Sequence, residues 1–268
     1  MNCLFIVNTI QELEPTQTTA LMIQGMAARA HQVFVAAADG LTLEVDDRIH
    51  ARSLRVGSRG ELSDKVELTL MAGDLVVVRT NPARGGVAPV YSSLLDLLAI
   101  AAVHGAVVVN DADALRRATS KLYSSRLPAE LRPRMVVSRD SATLRRFIES
   151  NDLSVLKPLV GTRGTDVFQV SGNEPNLNQI IDVLTRNGLA MAQEFIPEAR
   201  DGDVRVIVLD GAPLTVDGAV AAVRRVPPRA DFRSNVHLGA TPAATSFTPT
   251  LRRVVEAVAP LLAADGLD

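Results

Sequence analysis

The first 119 residues alternate short apolar runs with segments of helical periodicity. Helices are predicted over residues 18–30 and 92–103, the first capped by the threonine-rich turn at 16–19. Runs of Val, Leu and Ile that leave no polar face are typical of strands buried in a parallel sheet. The pattern therefore predicts an open parallel α/β sheet. The predicted strands are residues 3–7, 32–36, 75–79 and 106–109.

From residue 120 onwards, hairpin patterns are mixed with helices, which predicts an α+β organisation. The predicted helices span 141–149, 176–187 and 248–264. Strands are expected in a hairpin over 154–170, and again near 190, over 203–210 and over 219–226. We expect three domains, with residues 1–119 followed by lobes at 120–190 and 191–268.

Lysine is rare in this chain, and one lysine lies inside an apolar strand. Only three of the 28 basic residues are lysines, and Lys157 stands within VLKPLV, just before the turn GTRGT. Burying an ammonium among apolar residues costs free energy of desolvation unless an anion pairs with it. Glycine-rich turns let backbone N–H groups approach a phosphate. The pattern fits a flexible lid over the phosphates of a nucleotide. It fits equally well an ordinary hairpin whose lysine points to solvent.

Composition excludes several classes of function. A formal net charge of −2 and only 3% aromatic residues do not favour binding to nucleic acid or to an acidic membrane surface. The single cysteine, Cys3, excludes an internal disulfide framework. No apolar stretch reaches the roughly 20 residues that a membrane span needs. We predict a cytoplasmic protein that acts on small molecules, without nucleic-acid or membrane partners.

Five motifs in order along the chain resemble the prokaryotic glutathione synthetases of the ATP-grasp superfamily. They are LKPLVGTRGTDVF, MAQEFIP, GDVRVIVLDG, RRVP and FRSN. The resemblance implies an ATP-grasp fold of two α+β lobes behind the α/β domain. It implies a ligase that phosphorylates a carboxylate with ATP and then joins it to an amine, such as γ-glutamylcysteine and glycine. Magnesium and a homo-oligomeric state are expected with it.

The resemblance also assigns roles to individual residues. Arg205 is the expected catalytic residue, meeting the acyl phosphate. Arg163 either adds a phosphate contact or faces water. If Lys121 does not bind phosphate, it is expected to lie on a solvated helix face. The residues expected to bind ATP are Lys121, Lys157, Gly161, Thr162, Arg163, Gly164, Gln193, Glu194, Ile196 and Asp203. The residues expected to contact substrate are Arg79, Arg225, Arg233, Asn235 and Thr18.

Two departures from the family pattern affect the prediction. Gln17 stands before Thr18 where the family commonly has an acidic residue, which leaves the amine substrate open. The Asp and Glu-x-Asn that hold magnesium in the family are absent, so no metal ligand is predicted within this chain. We expect a truncated last lobe, in a shortened form of a longer protein or a gene fragment, and an inactive chain as it stands. The alternatives are a non-catalytic nucleotide-binding remnant and a related ATP-grasp ligase that joins an amino acid to another acid or peptide.

Overall fold

The computed structural model describes residues 1–162, 164–229 and 231–267, which form two compact units. The first comprises Met1–Thr119 and the residues after Ala264, and the second comprises Ser120–Ala264. No helix among the described residues is long and apolar enough to cross a membrane. The predicted boundary between residues 190 and 191 falls inside a strand, and the division into three domains stays a prediction.

The first unit is built on a six-stranded sheet. Its elements are β1 (Asn2–Val7), α1 (Thr18–Ala28), β2 (Gln32–Leu43), β3 (Ile49–Val56), β4 (Leu62–Thr69), β5 (Leu75–Val78), α2 (Ala88–Val103), β6 (Val107–Val109) and α3 (Ala112–Ala118). The strand order is β4-β3-β2-β1-β5-β6. The strands β2, β1, β5 and β6 pair in parallel, as predicted, and bury apolar side chains on both faces. The antiparallel strands β3 and β4 were not predicted.

The second unit begins with a four-stranded sheet covered by two helices. Its elements are β7 (Met135–Ser138), α4 (Ser141–Glu149), β8 (Ser154–Pro158), β9 (Phe168–Val170), α5 (Leu177–Thr185) and β10 (Ala190–Glu194). The strand order is β7-β10-β8-β9, and the hairpin of β8 and β9 is the one predicted. Leu156, Ala190 and Ala192 pack with α4 and α5 in one apolar core. Because side chains alternate across a strand, Lys157 and Gln193 lie on the opposite face.

The rest of the second unit contains short antiparallel strands and a final helix. Its elements are β11 (Asp203–Val206), β12 (Val208–Leu209), β13 (Ala212–Pro213), β14 (Thr215–Val216), β15 (Ala219–Val220), β16 (Ala222–Val226), β17 (Thr241–Ala243) and α6 (Pro249–Ala264). Strands β11, β16 and β17 form one sheet, in which Asp203 lies opposite Arg225. The mixed α/β and α+β fold is therefore confirmed.

Candidate nucleotide site and family

Lys157 lies in the second unit on the face of its sheet that the helices leave uncovered. Its Nζ donates to Gln193 Oε1 at 2.6 Å, across the pairing of β8 and β10. Burial, together with the positive charge of Lys121, lowers the pKa of Lys157 to about 8. No carboxylate among the described residues forms an ion pair with either lysine. The site therefore holds two cations without a counter-ion, which favours an anionic ligand.

Lys121 lies at the start of a short 3₁₀ helix, Lys121–Arg126. The helix α3 ends at Ala118, and the Ser120 side chain accepts from the backbone N of Leu122, which caps the 3₁₀ helix. Lys121 Nζ donates to the carbonyl oxygens of Pro158, Leu159 and Gly161 at 2.9, 3.4 and 3.2 Å. Lys121 therefore holds the start of the glycine-rich loop, and burial lowers its pKa.

The glycine-rich loop follows β8, as predicted. Gly161 and Gly164 adopt positive φ angles of 149° and 74°, which glycine accepts without strain. The amide of Thr165 donates to the carbonyl of Thr162 at 3.2 Å, so the described part of the loop closes as a turn. The prediction for Arg163 lies outside the described residues.

The loop contacts two residues predicted to bind substrate, Arg233 and Asn235. Arg233 Nη1 donates to the carbonyl oxygen of Gly164 at 2.8 Å. Asp231, which the sequence analysis missed, holds the guanidinium of Arg233 with Oδ2 at 2.7 Å from Nη2. That guanidinium lowers the pKa of Asp231. A side chain at position 164 would meet Asn235 Oδ1 at 2.8 Å, so glycine allows the close approach.

The segment predicted to hold adenine is anchored through its backbone and side chains. The carboxylate of Glu194 accepts from the backbone N and from Nε of Arg134, each at 2.8 Å, and these bonds lower its pKa. Ile196 is exposed at the start of a 3₁₀ helix. Phe195, which the sequence analysis left unassigned, packs edge-on against Phe232 with ring centroids 5.8 Å apart. The guanidinium of Arg200 lies 5.6 Å from the Phe195 ring.

Asp203 and Arg225 bind each other in the sheet of β11 and β16. Arg225 Nε donates to Asp203 Oδ1 at 2.7 Å, and Nη2 donates to the second oxygen, which makes the pair bidentate. The remaining oxygen lone pairs of Asp203 face solvent, since 46% of its side chain is exposed. Arg205 is exposed on the same face of β11 and has no hydrogen-bond or ion-pair partner among the described residues. Its guanidinium is therefore free to bind an anion.

In the first unit, the predicted substrate residue Arg79 forms a hydrogen bond with a threonine of α1. Arg79 Nε donates to the hydroxyl of Thr19 at 3.0 Å, whereas Thr18 is exposed at the start of α1. Desolvation lowers the pKa of Arg79, although part of its side chain reaches the surface. The N-cap of α1 is Gln17, which lies within the predicted turn at 16–19 but makes no capping bond with its side chain.

A cavity of about 400 Å³ opens where the parallel pairing of β1 and β2 ends. Asn8, Thr9 and Gly86 are among the residues that line it. Open α/β sheets bind ligands beyond the carboxyl ends of their strands, which is the position of this cavity. None of these residues was predicted from the sequence, although the polar pair Asn8-Thr9 directly follows the buried strand β1.

Comparison with known proteins agrees with the motifs. The family described as "Prokaryotic glutathione synthetase, N-terminal domain" matches residues 1–116, and "Prokaryotic glutathione synthetase, ATP-grasp domain" matches residues 120–268. The chain belongs to the prokaryotic glutathione synthetase family. The predicted resemblance is confirmed, and the chain is an ATP-dependent C–N ligase of the glutathione synthetase type.

Curated glutathione synthetases align with nearly the whole chain. The protein from a Synechocystis species is 30% identical over 285 residues, which covers 100% of this chain and 86% of the relative. The protein from Coxiella burnetii is 33% identical over 257 residues and covers 93% of this chain and 77% of the relative.

Solved structures show the same fold as this glutathione synthetase family member. D-cycloserine synthetase DcsG aligns with a TM-score of 0.63 at 19% identity, covering 99% of this chain and 82% of that one. D-alanyl-alanine synthetase A from Vibrio cholerae aligns with a TM-score of 0.59 at 10% identity, covering 97% and 79%. At these identities the similarity concerns the fold alone.

Proposed function

We propose that the protein joins γ-glutamylcysteine to glycine with ATP, through an acyl phosphate. The observation that carries this proposal is the pair of lysines without counter-ions, Lys121 and Lys157, beside a glycine-rich loop. Phosphoryl transfer requires positioning and positive charge around the phosphates more than it requires a nucleophilic side chain. Both cations and the loop amides can supply these to a bound triphosphate.

In the first step, a carboxylate oxygen of the acid attacks the terminal phosphorus of ATP. The bond from that phosphorus to the bridging oxygen breaks, which yields ADP and the acyl phosphate. Lys157 and Lys121 compensate charge along the phosphate chain, and Lys121 can do so after releasing one of its loop carbonyls. Arg205 is the free guanidinium that would bind the oxygens of the transferred group.

In the second step, the amine nitrogen attacks the carbonyl carbon of the acyl phosphate. The carbon–oxygen bond to phosphate breaks, phosphate leaves with the electron pair of that bond, and the proton lost by the amine nitrogen can pass to the departing phosphate. We assign Asp203 to the ribose hydroxyls and the segment from Gln193 to Ile196 to adenine. Arg225, Arg233 and Asn235 are proposed contacts of the ligated substrates. The roles of Arg79 and Thr18 as substrate contacts stay predictions.

Magnesium is proposed to enter with ATP, as family membership implies. Among residues 1–162, 164–229 and 231–267 there is no group of three or more His, Cys, Asp or Glu side chains that could hold a metal ion. No step above is assigned to a metal ion. A cytoplasmic location, a homo-oligomeric state and the lack of a nucleic-acid partner stay predictions.

A phosphate-release assay tests the proposed reaction. With ATP and magnesium, the protein should release phosphate only when γ-glutamylcysteine and glycine are both present, and mass spectrometry should detect glutathione. The comparison set pairs each substrate with a different amine or acid. Turnover of another pair alone would favour the related ligase that joins an amino acid to a different acid or peptide. ADP binding without turnover of any pair would favour the non-catalytic remnant.

A further inference from the structure

The glycine-rich loop is bonded to a segment that lies 69 residues further along the chain. Arg233 Nη1 donates to the carbonyl oxygen of Gly164 at 2.8 Å. Asp231 fixes the other edge of the same guanidinium, with Oδ1 at 3.0 Å from Nε and Oδ2 at 2.7 Å from Nη2. Because a guanidinium is planar and rigid, holding one edge aims the other at a fixed point. Asp231 therefore aims Arg233 at Gly164.

Packing brings the same two segments into direct contact. A Cβ atom on Gly164 would lie 2.8 Å from Asn235 Oδ1, 3.0 Å from Arg233 Cδ and 3.1 Å from Leu238 Cδ1. These distances leave no room for a side chain, so the loop backbone rests on the segment 231–238. The bond from Arg233 thus joins two surfaces that already touch.

The two ends of the loop are held differently. Lys121 bonds the carbonyls of Pro158, Leu159 and Gly161 at the start of the loop. At the far end, Gly164 is bonded to Arg233, whose segment includes two of the proposed substrate residues. A ligand that orders the segment 231–238 therefore also orders the end of the loop, and the reverse holds as well.

We propose that Arg233 is a positioning residue that couples nucleotide binding at the glycine-rich loop to acid binding at the segment 231–238. The inference rests on the proposed function, because it assigns the phosphates to the loop and the acid to the segment. When one ligand has ordered the loop and the segment, the protein loses less conformational entropy on binding the other ligand. The coupling is therefore positive. By linkage, the acid must raise the affinity for nucleotide by the factor by which nucleotide raises the affinity for the acid.

Hydrogen exchange of the ligand-free protein tests the link without any substrate. In Arg233→Met, the peptide covering 161–165 should exchange about tenfold faster, since a charge-assisted bond to a backbone carbonyl is lost. Arg224→Met is the matched control, because Arg224 also donates to a carbonyl of the second unit, that of Asp201, and makes no bond to the loop. Equal exchange of the loop in the two variants would overturn the link.

Calorimetry with ADP, in the presence and absence of γ-glutamylcysteine, tests the coupling. In the unaltered protein, saturating γ-glutamylcysteine should tighten ADP binding at least fivefold. In Arg233→Met the shift should fall to less than twofold. Arg233→Lys should retain part of the shift, because its ammonium can donate to the Gly164 carbonyl but cannot also bind Asp231 in a bidentate manner. If Arg233→Met does not fold, Arg233→Lys is compared with Arg224→Lys in both experiments.

The outcomes separate this inference from the proposed function. An unaltered protein that does not bind ADP would overturn the proposed function, and the coupling with it. ADP binding that γ-glutamylcysteine shifts equally in the unaltered and Arg233→Met proteins would overturn the coupling alone. A simple substrate contact at Arg233 would weaken γ-glutamylcysteine binding but leave loop exchange in the ligand-free protein unchanged.

Discussion

Lys157 Nζ donates to Gln193 Oε1 at 2.6 Å, so the cation of one predicted ATP motif rests on the amide of another. The contact crosses from β8 to β10, and 36 residues separate the two side chains in the chain. Gln193 supplies an acceptor without a negative charge. The ammonium is therefore oriented but not neutralised, and it stays available to a phosphate.

Replacing Lys157 should weaken nucleotide binding far more than folding. Lys157→Ala is expected to reduce the binding free energy of ADP by about 1.5–3 kcal/mol, as for one lost charge-assisted contact. Lys157→Arg should be nearly as damaging, because the planar fork needs more room than the ammonium. Calorimetry measures the affinity, and urea unfolding shows whether each variant is folded. Unchanged ADP affinity in Lys157→Ala would contradict the assignment of Lys157 to the phosphates.

The lowered pKa of Lys157 should make nucleotide binding take up protons. With a pKa of about 8, Lys157 is only partly charged at pH 8 in the free protein. A bound phosphate favours the charged form and should raise the pKa, so about half a proton should be taken up per ADP. Calorimetry at pH 8 in two buffers of different ionisation enthalpy measures this uptake, which Lys157→Met should abolish.

The same shift sets the sign of a stability change with pH. Between pH 8 and 10.5, the ordinary lysine value, the unfolded chain binds more protons than the folded protein. Stability contributed by this residue therefore rises with pH across that window, and the full penalty is present below it. Urea unfolding of Lys157→Met should lack that rise. An identical pH profile in both proteins would show that Lys157 is not desolvated.

Arg205 should affect turnover much more than nucleotide affinity. Its guanidinium has no partner among the described residues, so Arg205→Met removes no internal bond and should leave urea unfolding unchanged. If it binds the transferred phosphoryl group, kcat should fall about 10²–10³-fold, while the Kd for ADP changes less than threefold. A control is Arg224→Met, which removes a guanidinium from the same sheet and should leave kcat closer to that of the unaltered protein. Equal losses in both variants would argue against a role of Arg205 in the reaction.

The pair of Asp203 and Arg225 should matter for ribose recognition more than for stability. Because 46% of the Asp203 side chain is exposed, we expect Asp203→Asn to cost at most about 1 kcal/mol of folding free energy. The amide cannot accept from both Arg225 and the ribose hydroxyls, so ADP should bind about tenfold more weakly. Deoxyadenosine diphosphates, which lack a ribose hydroxyl, should bind equally to Asp203→Asn and to the unaltered protein. A larger loss for the deoxy compounds in Asp203→Asn would show that other groups read the ribose.

Much of the fold was predictable, because most elements bury a continuous apolar run or an apolar helix face. The helix α4, Ser141–Glu149, was predicted at its observed bounds, since Asp140 caps it and Leu144 and Ile148 face the core. The strands β3 and β4 were missed because charged residues such as Arg52 and Lys65 occupy one face of an exposed sheet extension. Their weak alternation carries little signal without knowledge of the pairing, in which β3 lies against β2 and β4 lies against β3.

The site was predictable where a motif is contiguous and unpredictable where partners meet only in space. Lys157 and the glycines could be read from one stretch of sequence. The partners Asp231 and Arg134 could not, because nothing in the sequence shows that Asp231 aims Arg233 or that Arg134 binds Glu194 across β7 and β10. The bond between Arg79 and Thr19 could not be read from the sequence either, since 60 residues separate the two side chains.

Because lysine is scarce in this chain, chemical modification can be followed at each lysine separately. Cyanate and other amine-selective reagents attack only the uncharged amine, and at pH 8 Lys157 has a far larger uncharged fraction than a lysine of ordinary pKa. With three lysines in the whole sequence, each carbamylated peptide identifies a single residue by mass. A phosphate that recharges Lys157 would protect it from the reagent. The fraction of Lys157 modified would then report how much of the protein holds nucleotide, without a label or a coupled enzyme.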